Sequence, residues 1–126
     1  TLALEGAKHD IRVNSVAPTA ATQMTAGLLP EAVLAALKPE AVTPMLLWLA
    51  SEAAPTRAIG CAGAGTFEAA HITLTKGLHL GLGADVPDRR AAAWDEIAAR
   101  DAQEQVPASG NAQGTNEVGQ AMAARG

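Results

Sequence analysis

The stretch Ile11-Arg12-Val13-Asn14-Ser15-Val16-Ala17-Pro18 constrains the fold more than any other part of the chain. Its β-branched residues at 11, 13 and 16 do not alternate cleanly, so apolar side chains fall on both faces. A strand of that kind needs cover on each side, which is the setting of a strand inside a parallel sheet flanked by helices. Pro18 has no N–H to give to a ladder and is expected to end the strand. The small, polar run from Thr19 to Thr25 then reads as a loop at the strand's C-terminal end, where open α/β sheets bind ligands.

Helical patterns follow the loop. Val33, Leu34 and Leu37 put an apolar stripe on a helix from Pro30 to Leu37, with proline at the tolerated first position. Val42, Met45, Leu46 and Leu49 fall at i, i+3, i+4 and i+7, predicting a helix from Pro39 to Ser51. Pro44 should kink that helix or mark its true start, with Thr43 as cap. Arg57 to Gly63 reads as a short, weak strand, and Thr66 to Thr75 as a better one with one wetter face. Glycines at 77, 81 and 83 make a flexible connection to a helix from Pro87 to about Asp101. The remainder, residues 104–126, is rich in Gly, Ala, Gln and Asn and is expected to be a mobile or partner-bound tail. Residues 1–103 form the folded portion in this reading.

The chain opens with Thr1-Leu2-Ala3-Leu4-Glu5-Gly6, strong helix formers running into a glycine. Gly6 reads as a left-handed stop, so the expectation is a chain that opens inside a helix whose earlier turns are missing. The supply of core residues points the same way. Alanine fills 30 of the 126 positions, and Leu, Ile, Val and Phe together only 25. Alanine buries little area, so the core must be thin or shared with another piece of protein.

Several classes are excluded. No run approaches the apolar length that spans a bilayer. No leader pattern of a charged segment, an apolar segment and a cleavage site is visible. A net charge of −4 with no basic cluster argues against nucleic acid as a partner. One cysteine makes no internal disulfide, which suits a reducing cytoplasm.

In sequence, Ile11–Pro18 is similar to a strand of the short-chain dehydrogenase/reductase family. Further matches follow: Leu37-Lys38-Pro39-Glu40, Val42, Pro44, Leu47-Trp48-Leu49, Gly63-Ala64-Gly65 and Trp94. Together they resemble the (3R)-hydroxyacyl-CoA dehydrogenase unit found in peroxisomal multifunctional enzymes and in bacterial single-domain relatives. The resemblance implies an α/β fold, the C-terminal part of a doubly wound, Rossmann-like parallel sheet, incomplete on its own. It implies part of an NAD(P)-dependent oxidoreductase that interconverts 3-hydroxyacyl and 3-oxoacyl thioesters. The family's catalytic serine, tyrosine and lysine have no counterpart here, and the chain contains no tyrosine at all. No residue of this chain is therefore assigned a catalytic role, and NAD or NADP would need an N-terminal part as well.

What the resemblance leaves to this chain is the nicotinamide end of the site, at Pro18, Thr19, Ala20 and Thr22. The family's threonine would stand at position 23, which is Gln23 here, so Thr22 and Thr25 both compete for that role. The segment from Met24 to Leu37 would form a lid over the acyl chain, walled by Met24, Leu28 and Leu29. The helix at 44–50 and the strand after it would carry contacts of a homo-oligomer. Two rival readings are a truncated, non-catalytic remnant that only oligomerises or docks, and a free-standing acyl-thioester binding module.

Other residues have plainer explanations. Asn14 either orients a site or bonds neighbouring loops. His9, His71 and His79 are not at metal-ligand spacing, and no metal site is expected. Cys61 reads as a packed thiol. The run Gly60-Cys61-Ala62-Gly63-Ala64-Gly65 lacks a helix after it and so fails as a phosphate loop, leaving close backbone packing as its explanation. Asp85 and Asp88 suit the N-terminus of a helix.

Overall fold

In the computed structural model, residues 1–101 and 104–125 are described, and the chain divides into two compact units, Thr1–His71 and Ile72–Gly126. The first unit opens with α1 (Leu2–Ala7), and this helix runs through Gly6 rather than stopping there. The left-handed residue is Asp10, at φ 55°. Over it, the Ile11 N–H donates to the Gly6 carbonyl at 3.0 Å and the Asp10 N–H to the Ala7 carbonyl at 3.3 Å. That pair of bonds closes a helix in the usual left-handed cap. Gly6 is needed for another reason: a Cβ there would lie 2.7 Å from the Ile11 carbonyl oxygen.

The expected strand at 11–17 forms as β1 (Ser15–Pro18), shorter and shifted toward its C-terminus. Pro18 lies within the strand instead of ending it. Ser15 and Thr19 donate their N–H groups toward the neighbouring strand, to the carbonyls of Ala58 and Ala62. Alternation therefore turns the Pro18 nitrogen to the open edge, where a missing N–H breaks no ladder bond.

The chain then crosses over through α2 (Glu31–Ala36), a 3-10 turn at Pro39–Val42 and α3 (Thr43–Leu49). The helix expected from Pro39 to Ser51 is thus split at its start, and Pro44 sits in the first turn of α3, where its lost N–H is tolerated. Thr43 is not the cap; it is the first helical residue, and Val42 precedes it as the cap.

The crossover delivers β2 (Ile59–Gly63), which pairs with β1 in parallel, Ser15 opposite Ile59 and Pro18 opposite Ala62. Beyond a two-residue turn, β3 (Thr66–Ala70) returns antiparallel to β2. The turn residues Ala64 and Gly65 both have positive φ, 50° and 78°, as the tightest hairpins require. The order is β1-β2-β3, so the strand that read as weak is the central one. The sheet is mixed rather than wholly parallel, which corrects the sequence reading in that detail. The second strand also ends at Ala70 and not at Thr75; its period-2 pattern continues only as a bridge between Leu74 and Gln105.

The unit from Ile72 contains α4 (Val86–Ala92), α5 (Trp94–Ile97) and α6 (Ala112–Ala123). One helix was expected over 87–101; it breaks at Ala93, which leaves the helical region at φ −97°, ψ 12°. Residues 112–123, expected within a mobile or partner-bound tail, are helical. Asn116 and Gln120 of α6 donate to the Lys76 carbonyl at 3.2 and 2.6 Å. The Thr75 hydroxyl donates to the Ile97 carbonyl at 2.7 Å. Glu104 accepts two bonds from the Arg100 Nε, at 3.1 and 2.9 Å, and one from the Thr73 hydroxyl. These bonds hold the carboxyl of Glu104 below the usual glutamate range, the Arg100 bond contributing most and the Thr73 bond next.

The core is as thin as the composition implies. Among the described residues the buried apolar side chains are Leu49, Ala54 and Ala62, at 7, 6 and 4% exposure. Leu46, Leu47, Trp48, Phe67, Leu28 and Met24 are all exposed.

Candidate functional site

The candidate residues lie where β1 leaves the sheet, and the sequence explains why that exit is fixed. Asn14, just before β1, reaches three partners. Its side-chain amide donates to the carbonyls of Leu49 at 3.3 Å and Pro55 at 2.8 Å, and its carbonyl oxygen accepts the Ala58 N–H at 3.0 Å. One side chain thereby ties the end of α3 and the 55–58 loop to β1. Of the two readings of Asn14, the structure supports the loop-bonding one. Arg12 adds to the same junction, donating to the carbonyls of Glu52 and, at 3.2 Å, Ala54.

Two glycines of β2 set how closely the layers approach. A Cβ at Gly60 would come within 2.5 Å of the Met45 sulfur and 3.1 Å of Leu49 Cδ1, so α3 rests on the bare backbone of the strand. A Cβ at Gly63 would come within 2.8 Å of the Thr19 carbonyl oxygen and 2.9 Å of Thr19 Cβ. Close backbone packing therefore accounts for Gly60 and Gly63 of the glycine run, while Gly65 serves the hairpin turn with its positive φ. Gly63 also positions Thr19, a link to the loop that the glycine spacing alone does not disclose.

Beyond β1 the loop's polar groups are largely spent on the loop itself. The Thr19 N–H donates to the Ala62 carbonyl at 2.8 Å, and the Ala21 N–H to the Leu37 carbonyl at 2.6 Å. The Thr22 N–H donates to the Thr25 hydroxyl at 2.9 Å, and that hydroxyl donates to the Thr22 carbonyl at 3.0 Å. Thr25 is thus a turn-forming residue of the 3-10 turn at Gln23–Thr25. Among the described residues no group accepts the Ala20 N–H. Alternation along β1 turns the Pro18 carbonyl to the open edge. One donor and one acceptor are therefore left two residues apart at the end of the strand.

The bond between Ala21 and Leu37 closes a neck, and the loop and α2 between them carry the proposed lid. Met24 is 87% exposed and Leu28 74%, with Leu29 less so. Gly27 turns the chain between them at φ 79°, with no atom within 4 Å of the position its Cβ would take. The only charged side chain from Thr22 to Leu37 is Glu31. Pro18, Thr19, Ala20 and Thr22 lie within five residues at the end of β1, and the lid continues directly from them. Among the described residues no three His, Cys, Asp or Glu side chains are grouped to hold a metal ion. No helix among them is long and apolar enough to cross a membrane.

No family model matches the chain. It is 52% identical over 52 residues to the mouse peroxisomal multifunctional enzyme type 2, a match covering 41% of this chain and 7% of that protein. The peroxisomal hydratase-dehydrogenase-epimerase of Neurospora crassa is 48% identical over 59 residues, 47% of this chain and 7% of that one. A Mycobacterium tuberculosis protein named as a short-chain type dehydrogenase/reductase is 40% identical over 98 residues, 77% of this chain and 34% of its own length. The solved structure of full-length peroxisomal multifunctional enzyme type 2 from Drosophila melanogaster superposes with a TM-score of 0.69 at 22% identity. That superposition covers 96% of this chain and 22% of that one. The chain thus spans about a third of the bacterial relative's length, 34%, and 7% of the mouse and fungal proteins. By these matches the chain is related to the short-chain dehydrogenases/reductases and the peroxisomal multifunctional enzymes, and corresponds to part of such a protein.

Proposed function

We propose that this chain is the C-terminal part of an NAD(P)-dependent oxidoreductase that interconverts 3-hydroxyacyl and 3-oxoacyl thioesters. It contributes the nicotinamide loop, the substrate lid and contacts of a homo-oligomer, and it belongs to a doubly wound sheet completed by other strands. The supporting observation is a polar loop, held by backbone bonds at Thr19 and Ala21, that leaves the end of parallel β1 and runs directly into the exposed apolar side chains of the lid.

The donors present suit a nicotinamide. Its carboxamide needs one acceptor for its NH2 and one donor for its oxygen, and the Pro18 carbonyl and Ala20 N–H are such a pair. Thr19 is held by Gly63, and Thr22 can offer its hydroxyl to the carboxamide or a phosphate. The bound dinucleotide supplies hydride transfer, while this chain's residues orient its ring and exclude water from the acyl side. Met24, Leu28 and Leu29 close on the aliphatic chain of the thioester. The exposed side chains of Leu46, Leu47 and Trp48 form the face that meets a second copy. Because β2 is paired on both edges, an edge-to-edge strand contact in that oligomer uses an outer strand of the sheet. A reducing, cytoplasmic setting suits the single thiol.

The test is a chimera in which this chain replaces the matching segment of the Neurospora crassa hydratase-dehydrogenase-epimerase, assayed with NAD and NADP on 3-hydroxyacyl-CoA. Turnover is expected, with Leu28→Ser raising KM for the thioester and Thr22→Val raising KM for the dinucleotide. A chimera that unfolds cooperatively like its parent yet transfers no hydride overturns the proposal. Self-association of this chain without dinucleotide binding would favour the docking remnant instead.

A further inference from the structure

The unit from Ile72 contains a cavity of about 430 Å³ between the 74–79 loop and α6, away from the β1 loop in sequence and unused by the dehydrogenase reading. Its walls are tied rather than loosely apposed. The Lys76 carbonyl is gripped by the amides of Asn116 and Gln120, and the Thr75 hydroxyl holds the Ile97 carbonyl. Gly77, at φ 72°, turns the loop immediately afterwards. Volume and preformed walls both fall in the range of small-molecule sites.

The lining has a definite chemical character. Leu74, Leu78 and Ile97 supply apolar lining, and Lys76 and Glu117 bring one charge of each sign to the same cavity, whose lining also includes His79. Among the described residues Lys76 and Glu117 form no ion pair with each other or with any other group. The Glu117 carboxylate accepts only the Gln113 amide, at 2.8 Å. Two opposite charges share one cavity without pairing.

We propose that this cavity is a binding site for a small zwitterion, a molecule with an ammonium for Glu117, a carboxylate for Lys76 and a short aliphatic body for Leu74 and Ile97. An α-amino acid with a branched aliphatic side chain has that form. Each charge would gain a partner it lacks in the free protein, and only a ligand carrying both would gain both.

The probe is L-leucine, titrated into the full chain and followed by the amide resonances of Gly77 and α6, against 4-methylpentanoate and 3-methylbutylamine. Saturable shifts are expected with leucine, and roughly tenfold weaker binding with either half-charged analogue, about 1.4 kcal/mol. Glu117→Gln should reduce leucine binding without weakening 4-methylpentanoate, and Lys76→Gln should spare the amine in the same way. Both side chains are exposed, so these variants keep the fold. No saturable shift with leucine to about 10 mM, where a millimolar site is nearly full, overturns the proposal. Equal binding of all three compounds, or variants that lose all three alike, overturns it too.

Discussion

The β1–β2 junction and the lid that follows β1 are built on opposite terms. At the junction, Asn14 spends every polar atom on the backbone of other segments, and Gly60 and Gly63 admit neighbours to within a Cβ's width. In the lid, the apolar side chains Met24 and Leu28 face solvent and one neck bond, from Ala21 to Leu37, closes the loop. Polar residues hold the structure together, while large apolar ones are left over. That inverts the usual division of labour, in which apolar burial dominates stability and exposed apolar patches mark binding surfaces. In this chain the first region fixes positions and the second offers contact.

The comparison breaks first at Asn14. Asn14→Ala removes three hydrogen bonds at once and leaves the Leu49 and Pro55 carbonyls without that donor, a loss of about 3 kcal/mol of stability in urea denaturation. Asn14→Asp should cost at least as much, since it keeps the acceptor for Ala58 but sets a carboxylate against two carbonyls. If either variant unfolds like the wild type, Asn14 is not the staple.

Next in size are the glycines, and they should separate. Gly63→Ala drives a Cβ onto the Thr19 backbone, which cannot swing aside, at a cost of about 2 kcal/mol and with Thr19 displaced. Gly60→Ala meets first the sulfur of Met45, a side chain that adapts readily, and should cost about 1 kcal/mol. In the chimera described above, Gly63→Ala should also weaken dinucleotide binding more than Gly60→Ala does. Equal effects of the two on the dinucleotide would sever the link from Gly63 to the loop.

How much of this could be read from the sequence differs in the same way between regions. The strand before the loop, the helix after Pro30 and the significance of the glycine run are all local patterns, and they appear close to where those patterns put them. The register at Gly6 is not local. A helix former followed by glycine looks like a stop, but the chain continues one more turn, because the left-handed residue is Asp10 and the glycine is required by contact with Ile11. Arg57–Gly63 looked weak because small residues carry little strand propensity, yet those same small residues let it lie between two strands and under α3. The helix at 112–123 lies outside the sequence expectation because Gly and Asn disfavour helices in isolation, whereas Asn116 and Gln120 gain the Lys76 carbonyl. Of the candidate site, Pro18 to Thr22 could be placed through resemblance, but the spare donor at Ala20 emerges only when its neighbours' bonds are counted.

The lid should answer oppositely to the junction. Met24→Ser and Leu28→Ser remove side chains that touch mostly water, so stability should stay within about 0.5 kcal/mol of the wild type. In the chimera the same changes should raise KM for long-chain thioesters and leave that for the dinucleotide alone. A large loss of stability would mean that these residues already belong to a core.

The smallest effect is expected in the other unit, where polar tethering takes an ionisable form. Arg100 and Thr73 hold the Glu104 carboxyl below its ordinary range, so the ionised form is favoured in the folded state. The stability this adds is present above the ordinary glutamate pKa and is lost as the pH falls through the lowered, folded-state value. Glu104 is adjacent to Gln105, whose N–H donates to the Leu74 carbonyl at 2.9 Å, so the bridge should report the loss. Protection of the Gln105 amide, its exchange rate taken against the intrinsic rate at each pH, should fall on acidification in the wild type, and Glu104→Gln should remove most of that pH dependence. Because Arg100 is largely exposed, with its side chain at 76%, salt should weaken the effect as well. Protection at Gln105 whose pH response is unchanged in Glu104→Gln would leave the bridge to backbone pairing alone.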